Sequence, residues 1–191
     1  SEEAFTFWGA CGAIRRSAFD AIGGFDERFT RPSIEDIVLG HRLRAAGYRI
    51  RLDRELAVTH LKQWTLRSLL LSDIRDRAIP WTRLILETGR VPNDLNLRMS
   101  SRVAAAAVCL LVPIALCSIA IAWLRWVALG LVGLLIVIDA PLWRYLARRR
   151  GLWFVLASMG WHWFYYSYSA CIFGARWAAA QVNIGLKKPL A

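Results

Sequence analysis

Short apolar runs and short helical periods alternate along the first part of the chain. Three runs that are rich in β-branched or aromatic residues, or that alternate in polarity, predict strands: residues 4–8, 48–52 and 56–60. Between them, residues 17–22 and 33–46 show the spacing of a helical face. Glycines follow both predicted helices, and a glycine just past the last turn commonly ends a helix. The pattern therefore predicts alternating strands and helices in this part of the chain.

The pattern becomes amphipathic in residues 63–102. Apolar residues that share one helical face are Leu66, Leu69, Leu70, Ile74, Ala78, Trp81 and Ile85. Pro80 is predicted to kink or split this helix, because proline has no N–H for the helical hydrogen bond. Arginines occupy the other faces, which suits a helix lying in the membrane interface. The alternative is an ordinary helix that packs on the domain, and one helix can do both. Residues 87–102 predict a polar connection.

Three long apolar runs follow, and they predict two to three transmembrane helices within residues 103–178. The runs are residues 103–124, 126–143 and 152–175. The first is long enough to cross the ~30 Å hydrocarbon core of a bilayer. Only Arg125 carries a charge between the first two, which predicts a tight hairpin with both basic ends on the cytoplasmic side. The aromatic-rich third run is either a full span or a re-entrant or tilted segment, and residues 179–191 form a tail.

Asp139 is the single acid in these apolar runs. An acid inside a membrane segment is a functional candidate by default, because burying its charge is costly. Asp139 lies near the predicted cytoplasmic end, however, and Arg144 follows about one turn later. We therefore interpret Asp139 as half of an interfacial ion pair with Arg144, and a functional acid is the alternative.

Composition and charge favour a membrane protein over a nucleic-acid-binding protein. Hydrophobic residues make up 57% of the chain, and the formal net charge is +11. The basic residues that flank the apolar runs are Arg83, Arg90, Arg98, Arg102, Arg144, Arg148, Arg149 and Arg150. This placement is typical of the cytoplasmic face of a membrane, so no nucleic-acid partner is predicted. The four cysteines form no C-x-x-C pair and are interpreted as small buried hydrophobic residues.

Glu35 and Asp36 are the candidate catalytic groups, and they begin the helix predicted at residues 33–46. Ser33 is a candidate N-cap, since its hydroxyl can accept a free backbone N–H of the first turn. Acids in a first turn are favoured by the helix dipole, by about 0.3–1 kcal/mol each, which explains the pair without any catalysis. The alternative is that Asp36 faces a cleft and acts as a general base.

Upstream and downstream motifs make the catalytic interpretation the better one. In chain order they are Gly9-Ala10-Cys11-Gly12, Arg16-Ser17-Ala18-Phe19, Gly23-Gly24-Phe25-Asp26-Glu27, Glu35-Asp36 and Arg42-Leu43 followed by Gly47-Tyr48-Arg49-Ile50. As an ordered set over about residues 5–60, these motifs resemble the family 2 glycosyltransferases with a GT-A fold. The resemblance implies an α/β fold for residues 1–62, namely the acceptor-side half of a GT-A domain, followed by the α-helical transmembrane region.

The resemblance also implies roles for individual residues. Asp36 would be the general base of an inverting sugar transfer, and Glu35 would position the acceptor. The substrate-binding candidates are Gly9, Gly12, Arg15, Arg16 and Arg67, where the glycines border the donor sugar or the acceptor groove and the arginines meet diphosphate charge. His60 is either a structural residue at a strand end or a ligand of the metal, as in part of the superfamily.

A divalent metal, Mg²⁺ or Mn²⁺, is the implied cofactor. Its main ligands in the family belong to an N-terminal half with an Asp-x-Asp motif, and no Asp-x-Asp occurs in this sequence. We therefore expect the chain to be a fragment or a truncated relative that neither binds the donor nor catalyses transfer alone.

The predicted function is transfer of a single sugar from a nucleotide-sugar donor to a lipid or lipid-linked acceptor, at the cytoplasmic face of the inner cell membrane by a multi-pass protein. Processive relatives carry Gln-x-x-Arg-Trp, which Gln63-Trp64 and Arg75 to Trp81 do not reproduce. Two alternatives remain: a non-catalytic membrane subunit derived from a glycosyltransferase, and a small membrane scaffold in which Glu35-Asp36 only starts a helix.

Overall fold

The structure is a computed structural model that describes residues 2–4, 6–53, 55–59, 61–93 and 95–181. The described residues form two compact units. The first lies within Ser1–Thr88 and Ala178–Ala191, and the second is Gly89–Trp177. Helices make up 67% of the structure.

The first unit contains a small sheet and a series of short helices. Strands β1 (Glu2–Ala4) and β2 (Ile50–Leu52) pair antiparallel, with Ala4 opposite Ile50. The helices in residues 2–88 are α1 (Arg16–Ala21), α2 (Glu35–Ala45), α3 (Leu66–Leu71) and α4 (Ile79–Thr88), with a π-helical segment, Ser72–Ala78, between the last two. Leu39 and Leu43 of α2 pack with Ala18 of α1 to form the core.

The predicted α/β fold, a partial GT-A domain, is wrong. The described residues contain only β1 and β2, each three residues long, and the structure is mostly helical. Of the described residues in the run 4–8, only Ala4 belongs to a strand, and residues 56–59 of the run 56–60 have no regular structure. Leu56 and Val58 are exposed there. A strand requires a pairing partner and a buried face, and the alternation of polarity in these runs specifies neither.

Helix α2 packs directly against the backbone that follows β1. A Cβ added at Gly40 would lie 2.3 Å from the Phe7 nitrogen and 2.8 Å from Thr6 Cα. Thr6 is buried beneath this contact, with 2% of its surface exposed. Only a glycine allows two backbones to approach this closely, so Gly40 fixes the position of α2 relative to residues 6–7.

The substitution Gly40→Ala is expected to lower the free energy of unfolding by more than about 2 kcal/mol, because the new methyl group would force the two backbones apart. Urea unfolding followed by tryptophan fluorescence would measure the change. Gly130→Ala is the matched control, since that helical glycine has no atom within 4 Å of its would-be Cβ. An unchanged unfolding midpoint for Gly40→Ala would show that the close approach is not required.

The predicted end of α2 is confirmed, whereas its predicted N-cap is wrong. Gly47 has a left-handed backbone with φ +85°. The N–H groups of Gly47 and Tyr48 donate to the carbonyls of Arg44 and Leu43, both at 3.0 Å, which is the Schellman arrangement of a glycine-terminated helix. At the other end the N-cap is Ile34, with no side-chain cap.

The second unit is helical. A short 3₁₀ turn, Leu95–Leu97, precedes α5 (Met99–Cys117), α6 (Leu124–Ile138), α7 (Ala140–Arg150) and α8 (Leu152–Gln181). Its core residues are Ala104, Ala107, Val108, Leu135 and Tyr166. Small residues on α5 let α6 pack close to it, and α8 reaches the same core through the large side chain of Tyr166.

The helices of the second unit differ in how well they suit a membrane. Among the described residues, α5 is the one single helix that is long and apolar enough to cross a bilayer, and α6 with α7 qualify only as a pair bent by 68°. The first predicted span therefore ends early, at Cys117, and the second is broken at Asp139. The third predicted run is helical and forms α8. Its polar aromatic residues, serines and histidine make it less apolar than α5, and it is not among the helices that are apolar enough to cross a bilayer.

Asp139 does not pair with Arg144 as the sequence suggested. The carboxylate is buried, with 8% of the residue exposed, at the junction of α6 and α7. Its partners are Tyr166, whose hydroxyl donates to Oδ1 at 3.0 Å, and His162, whose Nε2 lies 3.4 Å from Oδ2. Arg144 is exposed. The acid therefore belongs to the interior of the second unit.

Candidate active site

The first turn of α2 presents Asp36 to the loop that follows β1. Asp36 is half-buried. Its Oδ2 accepts a hydrogen bond from the Gly9 backbone N–H at 2.9 Å, and its Oδ1 accepts one from the Ile37 N–H at 2.8 Å. The structure thus brings together two residues, Asp36 and Gly9, that the sequence nominated separately. Each carboxylate oxygen keeps a lone pair for a further donor.

The approach of this carboxylate favours glycine at position 9. A Cβ at Gly9 would lie 3.2 Å from Asp36 Cβ and 3.3 Å from Oδ2, which is tighter than ordinary van der Waals contact. Gly12 has a different neighbour, since its would-be Cβ lies 2.6 Å from the Phe7 ring. Gly9 therefore belongs to the surroundings of Asp36, whereas Gly12 allows its loop to pack on Phe7.

Glu35 and Ser33 tie the start of α2 to the segment before α4. Glu35 Oε2 accepts the Ser33 N–H at 2.6 Å. The Ser33 hydroxyl donates to the carbonyl of Asp76 at 2.5 Å, which is the carbonyl four residues before Pro80. This bond joins the start of α2 to the π-helical segment that precedes α4. The sequence predicted that the Ser33 hydroxyl would cap α2, whereas it bonds to the carbonyl of Asp76.

The Gly-Gly-Phe-Asp-Glu motif is held by two arginines. Gly23 and Gly24 both have left-handed backbones, with φ +74° and +67°. The Arg42 guanidinium on α2 donates to the Gly24 carbonyl at 3.1 Å and to the Ile22 carbonyl. Arg42 therefore fixes the turn between α1 and the acidic part of the motif, a structural role that sequence reasoning missed.

Asp26 forms a forked ion pair with Arg28. Arg28 Nε donates to Asp26 Oδ1 at 3.1 Å and Nη2 donates to Oδ2 at 2.8 Å. Arg28 Nη1 also lies 3.4 Å from Glu87 Oε2 on α4. The hydrogen bonds from Arg28 hold the pKa of the Asp26 carboxyl below its ordinary value. Asp26 therefore has a structural role, because its ion pair with Arg28 holds this loop in place.

Replacing Asp26 by asparagine is expected to lower the free energy of unfolding by about 1 kcal/mol at pH 7. Because the folded-state pKa is lowered, the pair stabilises the fold above the unfolded-state pKa of about 3.9, and this contribution is lost as the pH falls through the folded pKa. Urea unfolding at pH 7 and pH 3 measures both values. Asp20→Asn, which removes an exposed pair with Arg16, is the control and should have a smaller effect. A gap between Asp26→Asn and the parent chain that is as large at pH 3 as at pH 7 would contradict the assignment.

The predicted arginines do not join Asp36 in the described residues. Arg15 precedes α1 and is exposed. Arg16 pairs with Asp20 at 3.1 Å on the surface, and Arg67 is exposed at the start of α3. Arg15, Arg16 and Arg67 therefore lie on the surface of the first unit and are not part of the Asp36 geometry.

The predicted metal ligand His60 lies outside the described residues. Within the described ranges, no three His, Cys, Asp or Glu side chains come together in a way that could hold a metal ion. The chemistry that this part of the chain offers is therefore a carboxylate at a helix start, oriented by two backbone N–H groups.

Comparison with known proteins identifies the family. The sequence model of glycosyl transferase family 21 matches residues 5–182. N-acetylglucosaminyl-diphospho-decaprenol L-rhamnosyltransferase of Mycobacterium tuberculosis H37Rv is 52% identical over 40 residues, which are 21% of this chain and 13% of the relative. The same enzyme of strain CDC 1551 / Oshkosh matches equally. No solved structure matches the chain.

These matches confirm the prediction of a glycosyltransferase, while the family they support is not the family 2 that the motifs suggested. The matched stretch spans only 13% of the length of the curated relatives, whereas the family model covers nearly the whole chain. The chain belongs to glycosyl transferase family 21.

Proposed function

We propose that the protein containing this chain transfers a single sugar from a nucleotide-sugar donor to a lipid or lipid-linked acceptor. Membership of a glycosyltransferase family supports the sugar transfer. The name of the rhamnosyltransferase relative, which includes a decaprenol-linked sugar, supports a lipid-linked acceptor. The observation that carries the proposal is the Asp36 carboxylate, which the Gly9 amide orients at the open end of α2.

Asp36 is the general base of the proposed reaction. An acceptor hydroxyl is a poor nucleophile at neutral pH, and a carboxylate within about 2.6–3.2 Å of it can take its proton during attack. The hydroxyl oxygen then bonds to the anomeric carbon while the bond to the nucleoside diphosphate breaks on the opposite face. The configuration of that carbon is therefore inverted. The two backbone N–H groups hold the carboxylate still and leave lone pairs for the proton.

The other predicted residues have supporting roles in this proposal. Glu35 shapes the start of α2 by accepting the Ser33 N–H, and so positions the acceptor indirectly. The exposed guanidinium groups of Arg15, Arg16 and Arg67 are the proposed contacts for the donor diphosphate, since arginine binds phosphate oxygens in a fork. A divalent cation, Mg²⁺ or Mn²⁺, would neutralise the leaving diphosphate, with its main ligands outside the residues described.

The proposed location is the cytoplasmic face of the inner membrane, with the second unit as the membrane part of a multi-pass protein. The length and apolar surface of α5 support one span. In the first unit, α4 packs inward through Trp81 and Ile85, while Leu66 and Leu71 of α3 are exposed. This division favours α3 as the interfacial part of the amphipathic region.

The test is a transfer assay with membranes from cells that produce the full-length protein. A set of nucleotide sugars, each labelled in the sugar, is incubated with the membranes, and the lipids are then extracted. The proposal predicts that one donor labels a lipid and that membranes without the protein do not. If the protein is folded and inserted in the membrane but no donor labels any lipid, the proposed function is wrong.

A non-catalytic membrane subunit is the second candidate. The observation in its favour is that Asp36 and Glu35 both accept backbone N–H groups near the start of α2, as acids do at an ordinary helix start. This candidate predicts that substitution of Asp36 leaves sugar transfer unchanged.

A further inference from the structure

Side-chain bonds in the first unit join the loop between α1 and α2 to the π-helical segment and to α4. The Ser33 hydroxyl donates to the Asp76 carbonyl at 2.5 Å. Arg28 Nη1 lies 3.4 Å from Glu87 Oε2, and Arg83 Nε donates to the other Glu87 oxygen at 2.7 Å. The loop that leads into α2 is therefore held by residues 43 and 59 positions later in the chain.

Helix α2 itself packs against α4. The rings of His41 and Trp81 meet edge to face, with centroids 5.9 Å apart, and Trp81 is buried. At the start of α2, the N-cap Ile34 is fully buried and provides no side-chain cap. The ring contact fixes α2 part-way along its length, and the bond of Ser33 adds a second fixed point at its start.

The contact between Asp36 and Gly9 leaves little room for a shift of that helix start. Asp36 Oδ2 accepts the Gly9 N–H at 2.9 Å, and such bonds weaken beyond about 3.2 Å. In the opposite direction, the two residues are already close, since a Cβ at Gly9 would lie 3.2 Å from Asp36 Cβ. A movement of a few tenths of an ångström therefore alters the surroundings of the carboxylate.

We propose that Ser33 is a positioning residue for the proposed sugar transfer, because its bond to the Asp76 carbonyl fixes the start of α2 where the Asp36 carboxylate meets the Gly9 N–H. The acceptor of this bond lies in a π-helical segment, and such segments are frequent at functional sites. Ser33 acts through Asp36 and takes no part in the chemistry itself. The inference rests on the proposed function in one respect, namely that Asp36 is the base.

The position of Asp36 can be measured without sugar transfer, through the amide signal of Gly9. The full-length protein is labelled with ¹⁵N-glycine in detergent micelles, and Gly9→Ala identifies the signal. A bond to a charged acceptor is short and strong, so the Gly9 amide proton is expected to resonate downfield of an ordinary glycine amide. Ser33→Ala is expected to move this signal upfield. Ser33→Thr keeps the hydroxyl and is expected to leave the signal in place.

Initial rates in the transfer assay give a second readout. Ser33→Ala is expected to lower kcat by about ten-fold with the KM for the donor unchanged, because a shift smaller than 1 Å costs less than about 10²-fold. Ser33→Thr is expected to keep the kcat of the parent protein.

Ser68→Ala is the matched control, since it also removes a serine hydroxyl that bonds to the backbone near a helix start. Ser68 Oγ accepts the Thr65 N–H at 2.9 Å and donates to the Thr65 carbonyl at 3.0 Å, within the cap of α3. This variant is expected to lower the melting temperature and to leave both the Gly9 signal and kcat unchanged.

A Gly9 signal that stays in place in Ser33→Ala, or that moves equally in Ser33→Thr, would overturn the proposal. An unchanged kcat for Ser33→Ala would also overturn it, provided that Asp36→Asn has lost activity. If Ser33→Ala moves the Gly9 signal while Asp36→Asn remains fully active, Ser33 does position Asp36 and the proposed role of Asp36 as the base is wrong.

Discussion

Replacing Asp36 by asparagine is expected to lower the kcat of sugar transfer by about 10²–10⁴-fold, which is the usual contribution of a general base. Asparagine has nearly the same shape as aspartate, and its amide oxygen can still accept the Gly9 N–H that now binds Oδ2 at 2.9 Å. It has no charge with which to take the proton of the acceptor hydroxyl. Labelled lipid formed per minute by equal amounts of the two proteins measures the change.

The control for this substitution is Glu35→Gln. Glu35 uses its carboxylate to accept the Ser33 N–H, and a glutamine oxygen can do the same, so we expect a change in kcat of less than about ten-fold. The melting temperature of each variant shows whether a loss of activity comes from the fold. Full activity in a folded Asp36→Asn protein would show that Glu35 and Asp36 only start a helix.

Gly9→Ala is expected to lower kcat by about ten-fold with little change in the KM for the donor. The new methyl group would lie 3.2 Å from Asp36 Cβ and 3.3 Å from Oδ2, so the loop or the carboxylate must move. Because a misplacement of about 1 Å in a reacting group can cost about 10²-fold, a shift of a few tenths of an ångström at this contact is expected to cost less. Initial rates at varied donor concentration separate kcat from KM.

Gly47→Ala is the matched control for Gly9→Ala, since it changes a glycine at the far end of the same helix. Its would-be Cβ meets nothing within 4 Å, but its φ of +85° disfavours alanine by about 1 kcal/mol. We therefore expect Gly47→Ala to lower the melting temperature and leave kcat unchanged. The reverse pattern, with loss of activity at Gly47 and none at Gly9, would contradict the role of the Gly9 amide.

The sequence was sufficient to predict elements whose signals are local. The apolar stripe of α2 and the glycine after it predicted a helix that ends at Gly47, and the left-handed φ there confirms the end. Pro80 predicted a break, and the π-helical segment Ser72–Ala78 lies just before it. These features depend on the preferences of a few neighbouring residues, which a sequence displays directly.

Features that depend on distant contacts were missed. The strand predictions failed because alternation of polarity does not say which runs pair, and only residues 2–4 and 50–52 do. The contact between Gly9 and Asp36 joins residues 27 positions apart. Gly40 did carry a signal, since a glycine inside a helix is unfavourable and therefore indicates a close approach. Nothing in the sequence indicated that the Ser33 hydroxyl would donate to the carbonyl of Asp76.

The anomeric configuration of the lipid product shows whether Asp36 acts as the base of a direct displacement, because direct attack assisted by a single base inverts the anomeric carbon. The product made by the full-length protein from a donor of known configuration would be examined by proton NMR, in which the coupling constant of the anomeric proton distinguishes α from β for sugars with an axial hydrogen at C2. With Asp36 as the base, the product is expected to have the configuration opposite to that of the donor. A product that retains the configuration of the donor would contradict Asp36 as the base of a single displacement.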